Sequence, residues 1–276
     1  MVFAQKILTP IYRWLFLRRA CYKINLLIYR LALRGLGILN YENEKINGED
    51  HFLRSLTNIE TQLCVIDVGA HEGQISKKIK ELNPSAIIYA FEPHPNTFKE
   101  LESVALKFDF YAINKACSDE IGCIKLYDFS NKEHGTQHAS LYLDVIEKIH
   151  DGNSTAWDIE VTTLDTFINK LGLAKIHLLK IDTEGHDYRV LLGAKQSIHE
   201  GKVDIIQFEF NEMNVVSRVF FRDFYQYLYN YVFFRMVPDG LVPLGKYTPN
   251  EWEIFGYQNI IAIRKDSQYL QEFTDA

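Results

Sequence analysis

Carboxylate side chains stand at the ends of three largely apolar runs in this chain. Asp67 lies near the end of the run that starts at residue 63, Glu92 follows the run from 86 to 91, and Asp182 follows the run from 176 to 181. Short apolar runs of this kind are typical of buried parallel strands. Because the carboxyl ends of parallel strands meet at one edge of a sheet, we predict that the acids face a common crevice.

The turn after the first run has the spacing acid-x-Gly-x-x-x-Gly, from Asp67 through Gly69 to Gly73. A nicotinamide or flavin fingerprint needs glycines two and five positions after the first glycine, where this chain has His71 and Gln74. The spacing fits instead the turn that carries S-adenosylmethionine in Rossmann-like methyltransferases, and Glu92 could accept both ribose hydroxyls. The residues predicted to bind this cofactor are Asp67, Gly69, Ala70, His71, Gly73, Glu92, Asp182 and, by its position at the third strand's end, Asn114.

Length and composition limit the class of protein. The chain has 276 residues, of which 47% are hydrophobic and 13% aromatic, so it has a packed core and is not a disordered chain. Its net charge of −6 argues against a nucleic-acid partner. The four cysteines show no Cys-x-x-Cys pair, so neither a zinc site nor a disulfide framework is indicated. We expect reduced thiols and a cytoplasmic protein. If the N-terminal segment binds a membrane, as considered next, the protein would be peripheral at the membrane surface.

The first 40 residues carry charges of one sign only. Seven are basic and none is acidic, which leaves 23 basic residues against 36 acids and a charge of −13 for the rest. Basic residues interrupt every long apolar run, so neither a membrane span nor a signal peptide is predicted. Two hypotheses remain: a basic amphipathic helix on an anionic membrane surface, or a helical extension packed on the catalytic domain or on a second copy of the chain. We favour packing, because aromatic and basic residues are spread around the helix.

The alternation of apolar runs and helical periodicity predicts an α/β fold. We expect five parallel strands, at 63–68, 86–91, 108–113, 176–182 and 203–210, with helices between them, one of which spans 187–199, and a terminal antiparallel pair. The fold class is a Rossmann-like class I methyltransferase sheet with helices on both faces, a β-hairpin insertion and an N-terminal helical extension. The expected division is a basic extension at 1–48, which ends in a polar linker at 41–50, and a methyltransferase domain at 49–276. An insertion at about 114–162 is placed where it could cover the site.

The assembled motifs resemble the FkbM family of S-adenosylmethionine-dependent methyltransferases. The resemblance runs from about Val65 to about Phe210 and, more loosely, to Arg264. It is carried by Val65-Ile66-Asp67-Val68-Gly69-Ala70-His71-Glu72-Gly73, Phe91-Glu92-Pro93-His94-Pro95, Thr163-Leu164-Asp165 and Leu179-Lys180-Ile181-Asp182-Thr183-Glu184-Gly185. The family usually has Asn at the position of His71. The resemblance implies transfer of a methyl group to a hydroxyl oxygen, on sugars or on polyketide-type products.

Such a transfer needs an acceptor oxygen close to the methyl carbon and a base or metal near it. The acids after the fourth strand are the best candidates: Asp182 could orient the cofactor's amino-acid moiety or ligate a cation, and Glu184 could accept the proton. His186 is a further candidate proton acceptor, although a histidine that opens a helix is as often a surface cap. Glu209, near the fifth strand's end, could join Asp182 in holding Mg²⁺ or could pair with Lys180 or the backbone.

The insertion contains His134, His138 and Ser140, and we expect a loop there that contacts the acceptor or closes over it. A His-x-x-x-His spacing suits a metal only on a helix, which Gly135 and Thr136 disfavour, so no metal-ligating residues are assigned.

The predicted partner is a small-molecule or glycan acceptor, with a homo-oligomer as a further alternative. We predict an O-methyltransferase for a sugar or glycan precursor. The alternatives are an enzyme for a lipid-linked or polyketide acceptor and a non-catalytic S-adenosylmethionine-binding scaffold.

Overall fold

A computed structural model describes residues 2–130, 136 and 139–274, and its chain begins with four helices. They are α1 (Val2–Phe16), α2 (Tyr22–Gly35), α3 (Glu44–Asn47) and α4 (Glu49–Ile59), with a 3₁₀ turn at Arg19–Cys21 between the first two. The segment predicted to be a linker is therefore largely helical. Asn43 begins α3 by accepting the N–H groups of Lys45 and Ile46, and Gly48, at φ +90°, turns the chain into α4. No described helix is long and apolar enough to cross a membrane.

Eleven strands in the described residues form two sheets. They are β1 (Cys64–Val68), β2 (Ile87–Phe91), β3 (Tyr111–Ile113), β4 (Ala116–Cys117), β5 (Gly122–Phe129), β6 (Ser154–Thr162), β7 (Ile176–Ile181), β8 (Val203–Phe210), β9 (Tyr231–Val237), β10 (Gly240–Pro243) and β11 (Gln258–Arg264). The large sheet has the order β10-β9-β11-β8-β7-β1-β2-β3. The five strands from β3 to β8 in that order are parallel, and β11 is antiparallel to both β8 and β9.

The order of the parallel strands reverses at β1, which pairs with β2 on one side and with β7 on the other. Connections leave β1 and β7 toward opposite sides at such a point and open a crevice beyond the strands' carboxyl ends. The acids of the three apolar runs are brought to this edge, because Val68, Phe91 and Ile181 end neighbouring strands.

Nine further helices lie between the strands or after the last one in the described chain. They are α5 (Gln74–Leu82), α6 (Pro95–Phe108), α7 (Leu164–Leu171), α8 (Asp187–Leu192), α9 (Lys195–His199), α10 (Met213–Ser217), α11 (Phe221–Tyr227), α12 (Pro249–Trp252) and α13 (Tyr269–Thr274). The single helix predicted for 187–199 is divided into α8 and α9. Gly193 lies at the break, and a Cβ there would stand 2.0 Å from the Ser118 carbonyl oxygen, so only glycine allows this approach.

The large sheet is covered on both faces. On one face Leu179 and Phe208 are fully buried with Phe224 of α11, whose ring stacks on that of Phe208 at 4.3 Å between centroids. On the other face Val65 and Ile88 belong to a core shared with Leu101 of α6. Helices on both faces leave the strand ends as the free edge for a site.

The insertion forms a second sheet of three strands, in the order β4-β6-β5. β5 and β6 make the antiparallel hairpin, and Leu126, Ile159 and Val161 are buried in its small core. A π-helical turn at Val145–Ile149 lies between the hairpin strands. The predicted fold class is confirmed, including the hairpin insertion and the N-terminal helices.

Candidate active site

A cavity of about 600 Å³ opens beyond the carboxyl ends of β1, β2 and β7. Most of the residues predicted from the sequence line it. Those from the first two strand ends are Asp67, Gly69, Ala70, His71 and Glu92, and those from β7, β8 and the turn after β7 are Asp182, Glu184, His186 and Glu209. Gly73 and Asn114 are not among the lining residues. The size is within the range of small-molecule sites.

The turn after β1 is held against the end of β7. Gly69 has φ +81°, and a Cβ at this position would stand 1.8 Å from the backbone oxygen of Asp182. The N–H groups of Gly69 and Ala70 both donate to the carbonyl of Phe91, which ties the same turn to β2. A residue with a side chain would push these strand ends apart, so the shape of the cavity depends on glycine.

Asp67 brings a buried carboxylate to the cavity. Its Oδ2 accepts a hydrogen bond from Ser76 Oγ at 2.7 Å, whereas Oδ1 has no hydrogen-bond partner among the described residues. Burial raises the pKa of Asp67, and the nearby Lys180 ammonium partly offsets this effect. A buried carboxylate oxygen without a hydrogen-bond donor suits a ligand that donates hydrogen bonds or carries positive charge.

Glu92 fastens two loops at the end of β2. Its carboxylate accepts the backbone N–H of His71 at 3.0 Å and that of His94 at 2.8 Å. Burial raises the pKa of Glu92 to about 7, although the two N–H donors favour the ionised form. Each carboxylate oxygen keeps acceptor capacity beyond these bonds.

Gly73 and Asn114 support the loops around the cavity. Gly73, at φ +83°, begins α5, and a Cβ there would stand 2.8 Å from Cδ1 of Leu101. The amide of Asn114 donates to the carbonyls of Glu92 and Pro93. Their predicted cofactor contacts stay predictions. The wall that follows β3 is lined instead by 115–117, one to three residues farther along the chain.

A buried lysine stands between the acids of β1 and β7. Lys180 Nζ lies 3.1 Å from Asp182 Oδ2, so Lys180 pairs with Asp182 and not with Glu209. Burial disfavours its charge, but the carboxylates of Asp182, Asp67 and Glu49 outweigh this cost and hold the pKa of Lys180 well above its usual range. The ammonium therefore stays charged and holds the neighbouring acids in place.

Glu184 and Glu209 form an acidic pair on the same wall. Burial and the carboxylates of Asp182 and Asp187 raise both pKa values well above the usual range for glutamate, and the charge of Glu184 adds to the effect on Glu209. Glu209 Oε2 accepts from Asn211 Nδ2 at 3.1 Å, and the backbone oxygen of Glu184 accepts from Ser140 Oγ at 2.9 Å. The second bond fastens the insertion to this wall.

His186 is buried, which excludes the surface-cap alternative. Its Nε2 lies 2.8 Å from Ser118 Oγ and its Nδ1 lies 3.1 Å from the Tyr142 hydroxyl. Ser118 Oγ donates to Asp119, so Nε2 of His186 carries the proton and donates to Ser118, and Nδ1 accepts from Tyr142. Burial lowers the pKa of His186 to about 4. With both nitrogens engaged, this ring is a weaker candidate proton acceptor than Glu184.

The N-terminal segment and Tyr257 add lining residues that the sequence analysis did not identify. Glu49 of α4 is buried in the cavity wall, and its Oε1 accepts from Gln207 Nε2 at 2.6 Å. Tyr41 and Glu44 also line the cavity, as does Tyr257, whose ring meets that of Tyr41 edge-on at 6.2 Å. A polar segment that resembles a linker gives no signal of this role. An acid directly after Gly48, at the start of a helix pattern, was the one available hint.

The described residues include no group of three or more His, Cys, Asp or Glu side chains that could hold a metal ion. His134 and His138 lie outside the described residues. Asp182 and Glu209, the proposed Mg²⁺ ligands, therefore lack a third His, Cys, Asp or Glu ligand among the described residues.

A family model for the methyltransferase FkbM domain matches residues 67–234, which is more than half of the chain. The chain belongs to this family. It carries a methyltransferase FkbM domain, as the resemblance predicted. The matched range begins at Asp67 and includes the β1 turn, Glu92 and all the acids of the β7 and β8 ends.

Individual relatives of this FkbM-family protein are distant. The chain is 28% identical over 196 residues to the AMB antimetabolite synthetase AmbE of Pseudomonas aeruginosa, a match that covers 60% of this chain and 9% of that protein. It is 22% identical over 142 residues to the 2-O-methyltransferase NoeI of Sinorhizobium fredii, covering 49% of this chain and 58% of NoeI. The matches thus span less than two thirds of either relative.

Among solved structures, the crystal structure of methyltransferase FkbM from Methylobacillus flagellatus KT aligns with 87% of this chain and 60% of its own. The TM-score is 0.45 at 11% sequence identity.

Proposed function

We propose that this FkbM-family enzyme transfers the methyl group to a hydroxyl oxygen of a sugar or glycan precursor. The observation that carries the proposal is the acidic pair Glu184 and Glu209, which lines the cavity with pKa values raised by burial. A hydroxyl loses its proton poorly at neutral pH, and a carboxylate of raised pKa is a stronger base than an ordinary one. The name of NoeI, a 2-O-methyltransferase, supports oxygen as the acceptor atom.

The residues around the β1 turn fit S-adenosylmethionine, the methyl donor. When bound, the donor would supply an electrophilic methyl group on a positively charged sulfonium, with S-adenosylhomocysteine as the leaving group. In our proposal Asp67 Oδ1, which lacks a hydrogen-bond partner among the described residues, accepts from the donor's amino-acid part. Glu92 accepts the ribose hydroxyls with the acceptor capacity that its two backbone N–H contacts leave.

The acids at the β7 and β8 ends would act on the acceptor. Glu184 takes the proton of the attacking hydroxyl, and burial together with the carboxylates of Asp182 and Asp187 keeps its pKa high. Lys180 pairs with Asp182 beside this pair, and its charge partly offsets the raised pKa of Glu184. Further polar groups on the cavity wall, including Glu44, Tyr41 and Tyr257, suit an acceptor with several hydroxyl groups.

The pH dependence of cofactor-product binding tests the role of Glu92. Because burial raises the pKa of Glu92 to about 7, a proton occupies one of its acceptor positions below that pH. Affinity for S-adenosylhomocysteine should therefore rise about tenfold between about pH 6 and about pH 8, as expected for one proton released on binding. Calorimetric titrations across this range would measure it.

The Glu92→Gln variant is the control, since its side chain does not titrate. Its affinity should be lower and independent of pH in this range. A wild-type affinity that stays constant, or a variant with the same pH profile, would contradict the assignment of Glu92.

The acceptor class is tested with S-adenosylmethionine that carries a labelled methyl group. The purified protein is incubated with sugars, nucleotide sugars, lipid-linked saccharides and polyketide alcohols, and the products are located by mass spectrometry. We expect label on a saccharide oxygen. Transfer to nitrogen or carbon alone would overturn the proposal, and label on a polyketide alcohol alone would change the acceptor class.

A further inference from the structure

The two N-terminal helices α1 and α2, here called the helix pair, expose apolar side chains in ordered stripes. In α1 the residues Ile7, Ile11, Trp14 and Leu15 recur at the spacing of one helix face, and their exposed fractions are 50%, 50%, 71% and 47%. Exposed apolar residues are ordinary when scattered, but a continuous stripe indicates an interaction surface.

The second helix carries a similar stripe beside a row of positive charge. Ile24, Leu27, Ile28 and Leu31 are between 44% and 60% exposed. Lys23, Arg30 and Arg34 follow one another at spacings of seven and four residues, so they share one face of α2 next to the apolar stripe.

The helix pair is held to itself more than to the catalytic domain. The Tyr12 hydroxyl donates to Asn25 Oδ1 at 2.7 Å, and Asn25 Nδ2 donates to the carbonyl of Phe16 at 3.0 Å, which joins α1 to α2. Of the described side chains from residue 6 to residue 35, only that of Leu33 is buried. The second hypothesis included packing of this extension on the catalytic domain. In the structure such packing begins only near the end of α2.

The charges of the helix pair favour an anionic lipid surface over a second helix pair as the partner. The first 40 residues carry seven basic side chains and no acid. Two helix pairs in contact would bring these positive charges together without compensation, whereas a surface of anionic lipid would attract them. Trp14, Tyr22 and Tyr29 are exposed by 54% to 71%, and such amphipathic rings are enriched where lipid headgroups meet hydrocarbon.

We propose that the helix pair binds the surface of a membrane that contains anionic lipids, with its apolar stripes in the headgroup region and its basic residues against lipid phosphates. The helices α1 and α2 have 15 and 14 residues, so they are long enough to lie on such a surface. The segment from 36 to 49 leads directly from α2 to Tyr41 and Glu49 of the cavity wall. Binding would thus hold the cavity near the membrane.

The experiment measures cosedimentation of the full chain with vesicles of phosphatidylcholine alone or mixed with phosphatidylglycerol. The test variant combines Ile11→Ser and Trp14→Ser, and its matched control combines Leu106→Ser and Ile121→Ser, which remove side chains exposed by 83% and 65% elsewhere. A charge variant, Arg30→Glu, is compared with Lys170→Glu on the surface of α7. Circular dichroism and binding of S-adenosylhomocysteine verify that each variant is folded.

We expect the wild type to bind the phosphatidylglycerol vesicles and to be released by salt. The Ile11→Ser/Trp14→Ser variant and the Arg30→Glu variant should each bind at least roughly tenfold more weakly, and both controls should match the wild type. Failure of the wild type to bind, or equal binding by the test variants, would overturn the proposal. A wild-type dimer that the α1 substitutions make monomeric, without vesicle binding, would identify a second copy as the partner. Because cofactor binding is measured separately, these outcomes do not depend on the proposed acceptor.

Discussion

The Glu184→Gln enzyme is expected to transfer methyl groups at least about a hundredfold more slowly than the wild type, the usual contribution of a positioned general base. The amide cannot take the hydroxyl proton, although it has nearly the shape of the carboxylate. Affinity for S-adenosylhomocysteine should change little, because Asp67 and Glu92 are the groups assigned to the cofactor. Single-turnover rates with saturating cofactor would measure the effect.

Glu212→Gln is the matched control for this prediction. Glu212 also lines the cavity, but its side chain is exposed at the rim. Its loss removes the same charge but leaves the proposed base in place. Glu212 is one of the acids whose repulsion raises the pKa of Glu184, so transfer should fall slightly in this variant and far less than in Glu184→Gln. Equal losses in both variants would indicate that general electrostatics matter more than a base. A Glu184→Gln enzyme of normal activity would exclude Glu184 as the proton acceptor.

The second large effect concerns Gly69. We expect Gly69→Ala to lower the free energy of unfolding by about 3 kcal/mol, because alanine is strained at positive φ and its Cβ collides with the end of β7. The collision is severe, since the ideal Cβ lies 1.8 Å from the Asp182 oxygen. The folded fraction should also bind the cofactor poorly, because the turn and β7 must separate. Denaturant unfolding and calorimetry would measure both effects.

Gly245→Ala separates the strain of positive φ from the collision of the Cβ with β7. Gly245 has φ +71°, and no described heavy atom lies within 4 Å of the position of its Cβ. This variant should lose only about 1 kcal/mol, the cost of positive φ alone. Equal losses in the two variants would show that the close approach of Gly69 to Asp182 adds nothing.

The fold was predictable because its signals are local. Parallel strands that are buried on both faces read as continuous apolar runs, and β8 was predicted with the bounds that the structure gives. The helix after β7 was predicted as one piece, since nothing in its periodicity reveals that Gly193 must approach Ser118. Such a contact joins residues far apart in the chain, so no sequence window contains it.

The candidate site was predictable where it follows from strand ends. Asp67, Glu92 and Asp182 line one cavity because sheet topology brings their strands together. Glu49 was missed because its position in the cavity wall depends on how α4 packs against the sheet, and no local sequence pattern indicates that packing. The partners of His186 were missed for the same reason. Ser118 and Tyr142 belong to the insertion, and their contact with His186 depends on how the insertion packs against the large sheet.

Titration of the purified protein with S-adenosylmethionine and S-adenosylhomocysteine tests the central claim most directly. The cavity at the ends of β1, β2 and β7 should bind both compounds with micromolar affinity. Glu92→Ala should weaken binding at least about tenfold, whereas Glu72→Ala, which removes an exposed acid of the turn after β1, should have no effect. No binding of either compound, or equal binding by Glu92→Ala and the wild type, would contradict this account.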